Sequence, residues 1–193
     1  MKLGIYVGSF NPVHNGHKYV VDYVLKNKYV DKVIMIPTGN YWNKNDLIDI
    51  SDRAMMLKFY EDDNIIIDEE VGKYQYTYEV LRHLKAIYPN DTLYLIIGAD
   101  NIVNFHLWKN YDEILQNMVI ILPREGIDIE KHLAKFDNKD HFVIANDFKE
   151  VDISSTQIRN YIKSQEIDEL LKFLDKMVIN YIIDNQLYME DYE

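Results

Sequence analysis

"GIYVGSFNPVHNGH", residues 4–17, runs from an apolar, β-rich start through a proline turn to two histidines three residues apart. Lys2–Val7 reads as a strand. Gly8 lets the backbone leave it without a Cβ clash and approach a ligand closely. Pro12 stiffens the turn. Gly16 and His17 then open a helix to Lys26, in which Tyr19, Val20, Tyr23 and Val24 recur at three- and four-residue spacings. A helix start has free N–H groups and a partial positive charge, which suits a phosphate. His14 and His17 can aim imidazole N–H donors at the same anion. There is neither a P-loop lysine pattern nor GxGxxG, so this phosphate site is of another design. Two other readings stay open at this point. One is a tight turn with two surface histidines. The other is zinc, because two histidines at this spacing can share a metal, although no third ligand is obvious. The full pattern GxFxPxHxGH after a first strand favours the phosphate.

Outward from this segment, short β-rich runs alternate with helical patterns. Further strands are expected at Lys32–Pro37, Asn64–Asp68, Thr92–Ile97, Met118–Leu122 and His141–Ala145. Helices are expected at Ile50–Tyr60 with Ser51 as N-cap, Thr77–Tyr88 with Thr77 as N-cap, and Ile167–Asn185. The alternation predicts an α/β fold: a Rossmann-like, doubly wound, mostly parallel sheet with helices on both faces. Ligands of such sheets bind beyond the carboxyl ends of the strands, where strand order reverses. With strands one and four flanking that point, the loops to inspect are "GSFNPVHNGH" and "GADN".

The 193 residues read as a single domain, 1–193. No apolar run approaches a membrane span, the N-terminus lacks a signal-peptide pattern, and there is no cysteine. These features predict a cytoplasmic protein without disulfides. A net charge of −11 argues against non-specific nucleic-acid binding but leaves room for a local cationic pocket.

The remaining polar candidates have ordinary readings beside functional ones. "ISST" before a helix supplies hydroxyls and free N–H groups, and Arg159, one turn after Ser155, adds a cationic fork. Asp100 after Gly98 fits an Asx turn as well as a ligand contact. Trp108 fits a core position or a stacking platform. Arg53 is expected to cap or pair on its own helix, and Arg124 to neighbour a phosphate or ribose.

"GSFNPVHNGH" resembles the signature loop of the HxGH nucleotidyltransferase superfamily, and "ISSTQIR" (Ile153–Arg159) resembles its second motif. "YLIIGADNIVNFHLWKNYDEIL", "YTYEVLRHLKAIYPNDTL" and "VINYIIDNQLY" are similar to bacterial nicotinate-nucleotide adenylyltransferases. The likeness covers nearly the whole chain, in order. It implies adenylyl transfer from ATP to nicotinate mononucleotide, giving nicotinate adenine dinucleotide and pyrophosphate in NAD biosynthesis. It implies His17, His14 and Arg159 as catalytic residues. Gly8, Ser9, Phe10, Gly16, Gly98, Asp100, Ser155 and Thr156 would line the ATP site. Asn40, Lys44, Thr77, Trp108 and Arg124 would line the mononucleotide site. No metal ligands are implied on the protein; Mg²⁺ would be held mainly by the ATP phosphates. The implied partners are ATP and a pyridine mononucleotide, with no nucleic acid and no membrane, and a homo-oligomer is compatible with the sequence.

The chain departs from the family in two places. "PTGNYWNKND" (Pro37–Asp46) replaces a PPHK-like stretch, and "QLY" near the end lacks a common glycine. The alternatives are therefore nicotinamide mononucleotide or phosphopantetheine as acceptor, cytidylyl transfer from CTP, or a nucleotide-binding module without catalysis.

Overall fold

The computed structural model describes residues 1–40 and 47–189. Six strands form one sheet: β1 (Lys2–Gly8), β2 (Lys32–Pro37), β3 (Ile65–Ile67), β4 (Thr92–Gly98), β5 (Met118–Leu122) and β6 (Phe142–Ile144). Their order is β3-β2-β1-β4-β5-β6, and each neighbouring pair is parallel. This is the expected Rossmann-like winding, and strand order reverses between β1 and β4.

The strands are apolar on both faces because both faces are covered. Leu3, Ile5, Ile34, Ile36, Leu93, Leu95 and Ile97 share one core, while Val33, Met35, Ile96 and Ile120 belong to the other. The helices are α1 (Asn15–Lys26), α2 (Ile50–Lys58), α3 (Thr77–Ile87), α4 (Ala99–Ile102), α5 (Tyr111–Ile114), α6 (Ile129–Leu133), α7 (Ser155–Lys163), α8 (Ile167–Phe173) and α9 (Lys176–Asp184). α1, α2 and α7 to α9 cover the second core, and α3 to α6 cover the first.

Three sequence expectations need correction. Ser51 is not the N-cap of α2: the helix begins at Ile50, with Asp49 in the cap position. Thr77 is the first residue of α3, and Tyr76 stands at the cap, where its N–H donates to Glu79 Oε2 at 3.1 Å. The C-terminal helical region is two helices, because Leu174 is extended and the Asp175 side chain accepts from Met177 N–H to start α9.

The register explains where the sheet opens. β1 pairs with β4 only from Lys2 to Ile5, opposite Thr92 to Leu95. Beyond that point β1 stays with β2 as far as Gly8 and Pro37, and β4 stays with β5 as far as Gly98 and Leu122. The last three residues of each inner strand therefore diverge and frame a cleft.

β2 ends against a glycine that the sequence reading passed over. Gly72 lies in a single 3₁₀ turn, Val71–Lys73, and its carbonyl accepts from Gly39 N–H at 3.0 Å. A Cβ at Gly72 would sit 2.0 Å from the carbonyl oxygen of Pro37. Two backbones cannot be this close with a methyl group between them. Gly72→Ala is expected to destabilise the fold by about 1–3 kcal/mol, the usual range for overpacking. Urea unfolding checks this, and a loss under about 0.5 kcal/mol would contradict it.

Candidate active site

The loop after β1 departs from ordinary extended backbone. Phe10 adopts a left-handed backbone (φ 45°), and the Asn11–Pro12 peptide is cis. Phe10 is 2% exposed and buries its ring edge-on to both Tyr6 and His17, at centroid distances of 5.4 and 5.0 Å. The loop carbonyls are held from three directions. Arg53 Nη1 donates to Ser9 O at 2.7 Å, Arg159 Nη1 to Asn11 O at 2.9 Å, and Ser155 Oγ to Pro12 O at 2.9 Å. The two sequence motifs, far apart in the chain, are thus bonded to each other.

The histidines cap α1 reciprocally. Gly16 N–H donates to His14 Nδ1 at 3.1 Å, and His14 N–H donates to His17 Nδ1 at 3.2 Å. This is a capping box in which imidazoles take the usual parts of serine and glutamate. An Nδ1 that accepts carries no proton, so each neutral ring has its proton on Nε2 and presents it as a donor. The rings stack with centroids 3.8 Å apart. Burial pulls His14 down to about 4. Burial, then the proximity of His14 and of Arg124, holds His17 well below its ordinary value. Near neutrality the pair is two uncharged N–H donors at a helix start. Gly16 makes room for this: a Cβ there would meet the His14 ring at 2.9 Å.

Three spaces that share lining residues lie side by side at the strand switch. The first, about 250 Å³, is lined by Tyr6, His14, His17, Gly98, Arg124 and Ser155, among others. The join, about 230 Å³, lies between the diverging ends of β1 and β4 and is lined by Gly8, Phe10, His17, Gly98, Arg124, Thr77 and Trp108. The third, about 590 Å³, is lined by Thr38, Tyr74, Tyr76, Thr77, Trp108 and Lys109. His17 therefore stands where the first space meets the join.

The structure gathers most of the residues singled out in the sequence, in distinct places. His14, His17, Gly16, Gly98, Ser155 and Arg124 line the first space; Thr77 and Trp108 line the third. Arg124 lies toward the first space and the join: its Nε is 3.0 Å from Asp100 Oδ1 and its Nη1 3.0 Å from Glu150 Oε1. A Cβ at Gly98 would lie 2.5 Å from Asp100 Oδ1 and 2.8 Å from Arg124 Nε. Ser9 presents its carbonyl to Arg53. Thr156 is exposed and accepts from Arg159 Nη2 at 3.3 Å, so Arg159 braces the loop through Asn11 O and its own helix through Thr156. Asn40 is exposed, two residues past the lining residue Thr38. Lys44 lies outside the described residues.

Several site residues escaped the sequence reading. Tyr6 lines both the first space and the join, and burial raises its hydroxyl pKa far above the usual value. Its position two residues before Gly8 was the available signal. Lys109 places its ammonium 4.2 Å from the Tyr76 ring centroid at the third space. Arg53, expected to cap or pair on its own helix, instead reaches Ile48 O, Ser9 O and Thr38 O. Nothing in the spacing around it announces those partners.

A parallel sheet that opens at its switch point onto a histidine-capped helix defines a nucleotidyltransferase fold. The chain belongs to the cytidylyltransferase-like family, whose profile matches residues 5–161, and within it to the nicotinate-nucleotide adenylyltransferases. It is 37% identical over 177 residues to a probable nicotinate-nucleotide adenylyltransferase of Fusobacterium nucleatum, covering 86% of this chain and 90% of the relative. A protein of the same description from Flavobacterium johnsoniae is 33% identical over 196 residues, covering 97% and 99% of the two chains. The fold is similar to that of Plasmodium falciparum nicotinic acid mononucleotide adenylyltransferase complexed with NaAD, with a TM-score of 0.81, 24% identity, and 100% and 99% of the chains covered.

Proposed function

We propose that this chain, as one nucleotidyltransferase domain, transfers the adenylyl group of ATP to nicotinate mononucleotide, forming nicotinate adenine dinucleotide and pyrophosphate. The observation that carries the reading is the imidazole pair, each ring accepting at Nδ1 and so carrying its proton on Nε2, with both rings lining the first space and His17 also lining the join. The first space suits a triphosphate nucleotide: it has a helix start, two neutral N–H donors and Arg124. The third suits a pyridine mononucleotide, with Trp108 and Tyr76 as aromatic faces and Lys109 nearby. The relatives' names supply the substrates.

In the step proposed, a phosphate oxygen of the mononucleotide bonds to the α-phosphorus of ATP. The bond from that phosphorus to the bridging oxygen of pyrophosphate breaks. The nucleophile is already ionised near neutrality, so no protein base is needed. Catalysis rests on alignment and charge stabilisation. His17 donates to the α-phosphate oxygens as charge moves to the leaving group, and His14, at the positive end of α1, steadies the phosphates. Arg159 and Ser155 act through the loop whose carbonyls they hold. Asp100, beside Gly98, is available to the ribose.

Among the described residues no three His, Asp or Glu side chains gather as a metal site, and Asp100 and Glu150 both pair with Arg124. The donor set thus fits Mg²⁺ held by phosphate oxygens and water rather than by a protein cage. Bound in that way, the ion supplies neutralisation of triphosphate charge. Among the described residues no helix is long and apolar enough to cross a membrane. A cytoplasmic location is part of this reading.

The decisive experiment measures pyrophosphate release from ATP with nicotinate mononucleotide, nicotinamide mononucleotide and phosphopantetheine side by side. Release with the nicotinate compound, well above the other two, is expected. ATP binding without release for any acceptor would leave a binding module. In Trp108→Ala, loss of the stacking face is expected to weaken the mononucleotide by about 1 kcal/mol, roughly fivefold, and ATP by less. Titration calorimetry reads both affinities, and equal losses would assign Trp108 to packing.

A further inference from the structure

Arg53 is 1% exposed and is among the largest fully buried side chains of the described residues. Its guanidinium spends its donors on backbone oxygens: Nε to Ile48 O at 3.0 Å, Nη1 to Ser9 O at 2.7 Å, and Nη2 to Thr38 O at 2.6 Å. Burying a cation is costly unless its hydrogen bonds are made, so a placement like this calls for a reason.

The three carbonyls belong to different parts of the cleft. Ser9 immediately precedes Phe10, whose left-handed turn puts its ring against His17. Thr38 lines the third space and donates its N–H to Gly8 O at 2.9 Å. Ile48 leads into α2, which carries Arg53 itself and is held to α9 by Tyr181 OH donating to Asp52 Oδ1 at 2.8 Å. One planar fork therefore spans the platform under His17 and the wall of the third space. The β1–β2 ladder ends at the bond from Thr38 N–H to Gly8 O, and beyond it the rigid fork carries the connection on to Ser9 O.

We infer that Arg53 is a positioning residue that sets the distance between the two substrates, by clamping the Ser9–Phe10 turn to the Thr38 wall. The inference rests on the adenylyl-transfer reading above. Arg53 touches neither substrate. It holds the phosphate-binding loop and the mononucleotide wall in one frame, and in-line attack depends on that frame. A misplacement of about 1 Å between reacting groups costs about 100-fold in rate. Each pocket's own ligand contacts are left intact by changes at Arg53.

Arg53→Lys tests this. A lysine keeps the charge, but its three donors radiate from one nitrogen and cannot span carbonyls set around a planar fork. The measurements are the separate dissociation constants for ATP and for nicotinate mononucleotide, the single-turnover rate with both bound, and thermal unfolding. The expected result is both constants within about threefold of wild type and a rate lower by about 100-fold. In Arg53→Ala, added guanidinium hydrochloride at millimolar concentration is expected to restore rate, whereas equimolar methylammonium chloride is not. A rate per folded molecule within threefold of wild type would overturn the inference. So would loss of the folded state in Arg53→Lys, or loss of both affinities in step with the rate, since each marks a purely structural role. Failure of the wild-type protein to release pyrophosphate with any acceptor would instead sink the functional reading.

Discussion

His17→Ala is expected to lower adenylyl transfer by two to three orders of magnitude while leaving the fold in place. The argument begins with the hydrogen bond on the other side of the ring. Because His17 Nδ1 accepts from His14 N–H, the proton must sit on Nε2. Burial keeps the ring uncharged near neutrality, so the donor is present without a counter-ion. Phe10 and the stacked His14 ring hold it from both sides, which limits the reorganisation needed when charge shifts toward pyrophosphate. Removal of one such donor costs roughly 3–4 kcal/mol in the barrier. The structural penalty is smaller: one capping interaction, about 1 kcal/mol. The readouts are kcat at saturating concentrations of both substrates and the midpoint of thermal unfolding. A variant that kept more than about a tenth of wild-type turnover would exclude His17 from charge stabilisation.

The parts of this design that were legible in the sequence were the local ones. The strands announced themselves as short apolar runs because a parallel sheet buries both faces. The alternation with helices then gave the winding and the switch point. His14, Gly16 and His17 stood out because their spacing is tied to one helix start. What escaped was set by distance in the chain. Arg53 sits between Asp52 and the buried Ala54, where a reading by local spacing makes it an ordinary helix arginine. Its meaning comes from Ser9 and Thr38, 44 and 15 residues away. Gly72 likewise matters only because Pro37 O lies where its side chain would be. The spacing around Arg159 points to an anion beside its own helix; its bond to Asn11 O, 148 residues away, is another contact that local spacing does not announce. The break at Asp175 was obscured because apolar residues continue in helical spacing on both sides of it.

Acid is expected to destabilise the substrate-free protein between about pH 6.5 and pH 4, with His14 as a principal source. The sign follows from proton counting. His14 is held down to about 4 in the native state by burial, against 6.5 when exposed. Between those values the unfolded chain binds the extra proton and the native chain does not. Stability therefore rises with pH in this window and is lost as pH falls through it. The His14 contribution amounts to about 2 kcal/mol between pH 7.5 and pH 5, and reaches about 3 kcal/mol by pH 4. His14→Gln isolates it, because a glutamine oxygen can still accept from Gly16 N–H but does not titrate. Urea unfolding at pH 7.5 and pH 5 should show the wild type losing about 2 kcal/mol more than the variant. A bound triphosphate favours the protonated ring, so saturating ATP should shrink the wild-type loss at pH 5 and leave the variant's pH response less altered. Equal losses in wild type and variant would mean that His14 is not the group that titrates.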